Sequence, residues 1–253
     1  MEFADYATFM VYGFFLCFVR ISACIMVYPT LSDRSVNMRT RLLLALVLSI
    51  TIYPLVSEGM PIPPENSGIL ILDVLKELAV GVLMALAARF VMAAVSVAGE
   101  LMGFMTGFQA ASMFDPITGA NSSALGVFLS LIAGVLLFAF EIHHILIAGL
   151  AESFSVIPVT EGLSLSDSLT AVTKAMSNMM QIGVKLAAPV MVIGFLGYVV
   201  FGIFNRMIPQ LHVFFISLPV SIGVGLIILG ISLAGVVTLI GQELEKNAIL
   251  FGA

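Results

Sequence analysis

The residues most suited to chemistry stand together in "FEIHHIL", Phe140–Leu146, where Glu141, His143 and His144 could serve acid–base or metal work. Their spacing argues against both. Neighbouring side chains on a helix point about 100° apart, so His143 and His144 diverge, and only Glu141 and His144, three apart, can meet. The ordinary reading is a polar cluster at a segment end. Cys17 and Cys24 lie seven apart in one apolar run and share a helix face, as small core residues rather than a disulfide framework or metal set. The chain holds no H-E-x-x-H, no G-x-S-x-G, no Walker loop and no G-x-G-x-x-G. No catalytic, cofactor-binding or metal-ligating residue is therefore expected, and the chain is read as a non-enzyme. In "FNRMIPQLHVFFISLPVSIG", Pro209 lacks an amide and breaks a helix, with Arg206, Gln210 and His212 supplying polar groups at the break. That stretch reads as a hairpin turn between long helices, as a docking site for partner chains, or as both.

The elements that must position these residues are apolar. Of 253 residues, 60% are hydrophobic and 10% charged, with a net charge of −5; mean hydropathy is +1.16. A soluble domain carries about 25% charged residues. A chain so poor in charge cannot cover a surface facing water, so it reads as an integral membrane protein, and no basic block suggests nucleic acid. Glu2 and Asp5 occupy the place of a basic n-region, so no signal peptide is expected.

Six apolar stretches follow one another: Phe9–Pro29, Leu42–Val56, Ile69–Ala98, Ala124–Leu150, Ile182–Phe204 and Leu211–Ile240. A bilayer crossing takes about 20 residues. Leu42–Val56 is short, and Leu211–Ile240 is long and interrupted by Pro219, Gly223, Gly225, Gly230 and Gly235. Arg20 lies in the first stretch, Asp73, Lys76, Glu77 and Arg89 in the third, Lys185 in the fifth. A central charge costs on the order of 2.5–3.5 kcal/mol unless it is paired or faces water. These helices are built to pack on other protein. Arg34, Arg39 and Arg41 share one loop, while Ser57–Gly68 and Glu152–Ser168 are acidic connections. The positive-inside rule puts the first in the cytoplasm and the other two outside, with both termini outside.

Gly99, Gly103 and Gly107 fall at i, i+4 and i+8 and predict a bare stripe where another backbone comes close. The stripe runs into "GFMTGFQAASMFDPITGANSS", Gly103–Ser123, which has one formal charge, Asp115, and is too apolar for a solvated linker. Met102, Met105 and Met113 fill gaps there, as core or as a deformable seal. From the residues alone the fold is an all-α polytopic membrane protein with a re-entrant loop.

Four stretches carry a resemblance that covers most of the chain in family order: "VRISACIMVYP"; "RTRLLLALVLSITIYP"; "GELMGFMTGFQAASMFDPITGANSSALG" running into "IHHILIAGLAESFSVIP"; and "NRMIPQLHVFFISLP". With these the sequence resembles the FliR family of export-gate proteins of flagellar, type III secretion systems. The resemblance implies a core subunit that joins FliP and FliQ, one FliR copy per assembly, in a protein-conducting channel for unfolded polypeptide. It implies the bacterial inner membrane and the flagellar basal body as location, with other export-apparatus membrane proteins nearby and no nucleic acid. It further implies long helical hairpins packed in a helical ring, much of it raised out of the bilayer plane. Residues 1–180 would be the FliP-like portion and 181–253 the FliQ-like hairpin. A plug loop would occupy about Thr106–Ser122. Thr106, Gly107, Phe108, Gln109, Met113, Phe114, Asp115, Pro116 and Gly119 would form the plug, with Phe108, Met113 and Phe114 sealing and Asp115–Pro116 fixing a turn. Arg20, Gly99, Gly103, Arg206, Pro209 and Gln210 would serve helix packing or partner contact. The alternative is a small-solute secondary transporter whose helices break at Pro189, Pro209 and Pro219; such a protein would show internal repeats, and the two halves show none.

Overall fold

The structure, a computed structural model, describes residues 3–29, 31, 36–64, 66–109, 123–159, 165–208 and 213–249. Among the described residues the regular structure is helical, without strands. The helices are α1 (Phe3–Val27), α2 (Met38–Val56), α3 (Ser67–Thr106), α4 (Ala124–Ala139), α5 (Ile142–Val156), α6 (Leu165–Met207) and α7 (Val213–Ile249), with a short 3-10 turn at Ser57–Gly59. The chain is an all-α polytopic membrane protein. Five of these helices are long and apolar enough to cross a bilayer, and α4 with α5 makes a sixth if the pair counts as one span.

Local chemistry sets the boundaries. Asn37 is the N-cap of α2, its side chain accepting from the Arg39 amide at 3.1 Å, and Asn66 Oδ1 accepts from the Gly68 amide at 2.9 Å where α3 begins. Thereafter α3 runs for 40 residues, about 60 Å at 1.5 Å per residue, twice a hydrocarbon core. It passes Ala98, where the apolar stretch was expected to end, because the residues that follow, "GELMGFMT", still favour helix on balance: Leu and Met outnumber Gly. The expected fourth stretch, Ala124–Leu150, is corrected to two helices. Glu141 adopts a left-handed conformation, φ 55°, between α4 and α5. No glycine or proline stands at that break, and its local mark is the polar cluster of Glu141, His143 and His144.

The chain divides into two compact units: unit 1 is Met1–Phe90, Glu141–Met176 and Leu244–Ala253; unit 2 is Val91–Phe140 and Ser177–Glu243. In unit 1, Leu16, Cys17, Ile21 and Ile25 of α1 pack with Ala45 and Ile52 of α2 and with Leu150 and Phe154 of α5. Phe14 meets Tyr53 edge to face at 5.7 Å. In unit 2, Ala94, Ala98 and Met102 of α3, Leu129 and Ala133 of α4, and Leu186, Ala187 and Val190 of α6 are buried. Large apolar side chains also remain bare on the outside, among them Val11, Leu131, Phe195 and Ile231. A surface of that kind suits lipid or partner helices rather than water.

Candidate functional site

The root of the expected plug lies in unit 2, at the last turn of α3. Thr106 is buried, and its hydroxyl donates to the Met102 carbonyl at 2.9 Å and the Gly103 carbonyl at 3.3 Å. The next residue, Gly107, has φ +79° and ends the helix. A side chain there would be strained, since left-handed backbone costs an L-residue roughly 1–2 kcal/mol. Gly107 thus leaves the stripe expected at Gly99, Gly103 and Gly107, while Gly99 and Gly103 stay helical. A Cβ on Gly99 would overlap the Gly126 backbone, and one on Gly103 would overlap the Ser123 side chain. The start of α4 therefore lies against the end of α3, so the segment between Gly107 and Ser123 leaves and returns at one place.

Two further glycines grip the same turn. The Thr106 methyl fills the space that a Cβ on Gly225 of α7 would need, and a Cβ on Gly194 of α6 would stand 3.0 Å from the Met105 Cβ and 3.2 Å from its carbonyl oxygen. Three turns before Gly194, a Cβ on Gly183 would stand 3.1 Å from the Ala94 carbonyl oxygen. Both contacts hold one register over 11 residues of α3 and of α6, so these helices run parallel in close contact. The Tyr198 hydroxyl donates to the Phe104 carbonyl at 3.3 Å. Beside this root an apolar cavity of 320 Å³ is lined by Met105, Thr106, Gly194, Gly197, Phe201 and Val224, among others. Phe108 is half-buried and Gln109 exposed. Met113, Phe114, Asp115, Pro116 and Gly119 lie outside the described residues.

Arg20 belongs to unit 1, and its guanidinium is fully buried. Nε and Nη2 donate to the two carboxylate oxygens of Glu77 in α3, the latter at 2.8 Å. Nη1 donates to the Ser153 carbonyl at 2.9 Å and the Ser153 hydroxyl at 3.2 Å, and Nη2 also reaches the Ile157 carbonyl at 3.0 Å. The Phe154 ring lies 4.0 Å from Cζ, within cation–π range. Each guanidinium nitrogen donates a hydrogen bond, with the carbonyls at the C-terminal end of α5 placing their negative dipole end toward it. Gly81, one turn beyond Glu77, makes this approach feasible: a Cβ there would overlap the Arg20 carbonyl. Two turns earlier the Tyr12 hydroxyl donates to Asp73 at 2.8 Å, and Lys76 stands 3.7 Å from the same carboxylate.

The signal for the Arg20–Glu77 pair was present as opposite charges in two apolar helices, since such charges pair when buried. What sequence reasoning missed was the choice among Asp73, Glu77 and a partner chain, and the use of Ser153 and Ile157. It likewise missed the counterparts of the glycines: Ser123, Gly126, Gly194 and Gly225. Arg206 lies exposed in the last turn of α6, and Pro209 and Gln210 lie outside the described residues. The Glu141 corner is exposed at Glu141 and His144, with Glu141 Oε2 3.7 Å from His144 Nδ1. The His143 and His144 rings touch, centroids 4.1 Å apart, so the divergence expected of these neighbours is corrected: side-chain torsions bring the rings together. Among the described residues no three His, Cys, Asp or Glu side chains are grouped to hold a metal.

Residues 11–247 match the family model described as bacterial export proteins, family 1. The flagellar biosynthetic protein FliR of Caulobacter vibrioides is 30% identical over 228 residues, covering 90% of this chain and 91% of that protein. That of Bacillus subtilis is 32% identical over 220 residues, 86% of this chain and 84% of its own, and that of Escherichia coli is 31% identical over 213 residues, 84% and 81%. These matches run nearly end to end, and with the order of apolar helices and the segment of a single formal charge between α3 and α4 found in the same chain, the chain belongs to the bacterial export proteins, family 1, alongside the flagellar biosynthetic FliR proteins.

Proposed function

We propose that this chain is a core subunit of the export gate of a flagellar-type protein secretion system in the bacterial inner membrane. With FliP and FliQ, one copy of the chain forms a channel for unfolded polypeptide. Residues 1–180 are its FliP-like part and 181–253 its FliQ-like hairpin. The observation that carries the reading, beside family membership, is the root of the loop between α3 and α4. A segment with a single formal charge, Asp115, springs from a turn clamped by Gly194 and Gly225 and released at Gly107. Low charge makes burial inside a lumen cheap. A fixed root with a flexible first residue suits a plug that is displaced and returned.

The test is electrical. A channel for unfolded chain needs a lumen of roughly 10 Å or more, near the width of a helix with side chains. Removing Ala110–Ile117 should leave the assembly intact yet let cells making the full gate leak potassium and grow poorly, even without secretion. Phe108→Asp should leak less, because only part of the seal is lost. An assembled gate with the shortened loop and a tight membrane would make the loop a connector and end the plug reading.

A further inference from the structure

Lys185 lies in the unit 2 part of α6 and is exposed. Among the described residues it has no ion-pair partner. It stands where the exposed face of α6 changes from polar, at Asn178 and Gln181, to apolar. On the same helical face Val192, Leu196 and Val199 follow at 7, 11 and 14 residues, each about half exposed. No charged residue stands between Leu186 and Asn205. The backbone adds a second polar group at the same spot. Pro189 is inside α6, and its missing N–H leaves the Lys185 carbonyl without the usual donor four residues on. One point on an apolar helix face thus offers three ammonium protons and a carbonyl acceptor.

Among the described residues the acids of unit 2 are Glu100 and Glu243. The Glu100 side chain lies against α4: its Cγ is 3.7 Å from where a Cβ on Gly126 would stand. That is the first turn of α4, where a carboxylate is favoured by the helix dipole.

We propose that the α6 face running from Lys185 to Val199 is the seat of a partner membrane helix that carries a carboxylate among apolar residues, with a hydroxyl or amide donor beside it. The carboxylate takes the ammonium, the donor takes the Lys185 carbonyl, and the apolar residues cover Val192, Leu196 and Val199. A lipid phosphodiester fits less well, because it offers acceptors only and leaves the carbonyl unmet. Water meets both polar groups but not the apolar face around them. This inference rests on the reading of the chain as one subunit of a gate made of several proteins.

The experiment uses the wild-type assembly, purified in mild detergent from cells making all partner chains. Carbodiimide joins an amine to a carboxylate in contact with it, and mass spectrometry reads the site. The expected result is an isopeptide link from Lys185 to Asp or Glu of another chain. In parallel, Lys185→Glu should reduce the recovered assembly by about tenfold or more, as reversing one member of a buried charge pair does, while Lys185→Arg stays within about twofold. Ready acylation of Lys185 by a water-soluble amine reagent in the intact assembly would overturn the inference in favour of a water-facing lysine. A link to Glu100 of the same chain would overturn it too. Protection that disappears when anionic lipid is removed would assign the face to lipid instead. In each of those cases the partner chains still co-purify and the gate reading stands; if none co-purifies, that reading falls and takes this inference with it.

Discussion

In unit 1, helices α1, α3 and α5 converge on the Arg20 guanidinium, whereas in unit 2, α3, α4, α6 and α7 converge on places where a side chain is missing. The first arrangement is directional. Arg20 sits between Glu77, Ser153, Ile157 and Phe154 with its donors matched to acceptors, so its value depends on each partner being present. The second is steric. Gly99, Gly103, Gly194 and Gly225 admit Gly126, Ser123, Met105 and Thr106, and the gain is dispersion at close range plus backbone proximity. The polar clamp tolerates loss of both members better than loss of one. The glycine contacts tolerate no added atom but are indifferent to charge.

The largest expected effect tests the clamp. Arg20→Met leaves Glu77 buried without its counter-ion, which costs on the order of 3–5 kcal/mol, whereas removing both charges of such a pair is often nearly neutral. Arg20→Met alone should give little folded protein by size exclusion in detergent, and the double variant Arg20→Met with Glu77→Met should recover most of it. Equal recovery of the single and double variants would mean that the clamp contributes shape, as the glycines do.

A smaller effect separates two glycines of one helix. Gly225→Ala drives a Cβ into Thr106, and overpacking of this kind costs about 1–3 kcal/mol. At Gly230, also in α7, nothing lies within 4 Å of the added carbon. Gly230→Ala should therefore be neutral or stabilising by about 0.4–1 kcal/mol through the unfolded chain. The thermal midpoint of the purified assembly should fall for Gly225→Ala and hold or rise for Gly230→Ala. A drop at Gly230 as large as at Gly225 would show that a partner chain fills the open face.

The smallest effect returns to unit 1. Tyr12→Phe deletes the hydroxyl that Asp73 accepts from, while Lys76 stays near that carboxylate. A loss of about 0.5–1.5 kcal/mol is expected, or a midpoint lowered by about 2–4 °C for each kcal/mol in a chain of this size. A fall comparable to Arg20→Met would extend the clamp from one residue to the whole α1–α3 seam.

Much of this was legible in the residues. A charge content of 10% required a membrane environment, and the apolar stretches located the long helices. The segment after Gly103, with Asp115 its one formal charge, stood out without reference to any relative. Gly99 and Gly103 announced close packing by their spacing. Other features were hidden for identifiable reasons. The break at Glu141 lacks the glycine or proline that ordinarily marks one, and the third apolar stretch was ended at Ala98, where Gly99 and Glu100 interrupt the run of apolar residues, although the helix continues to Thr106.

Sequence by itself determined which groups had to be compensated: a cation in the middle of α1, acids in the early turns of α3, glycines in the later ones, and a lysine four residues before a proline in α6. Hydropathy and helical periodicity are local, so they identify such groups without naming their partners. Only the tertiary structure decided that Arg20 takes Glu77, 57 residues away, and Ser153, 133 away, that Gly225 receives Thr106, and that Lys185 is left facing outward. Those choices depend on helix register and rotation, which are fixed when several faces bury their apolar area at once.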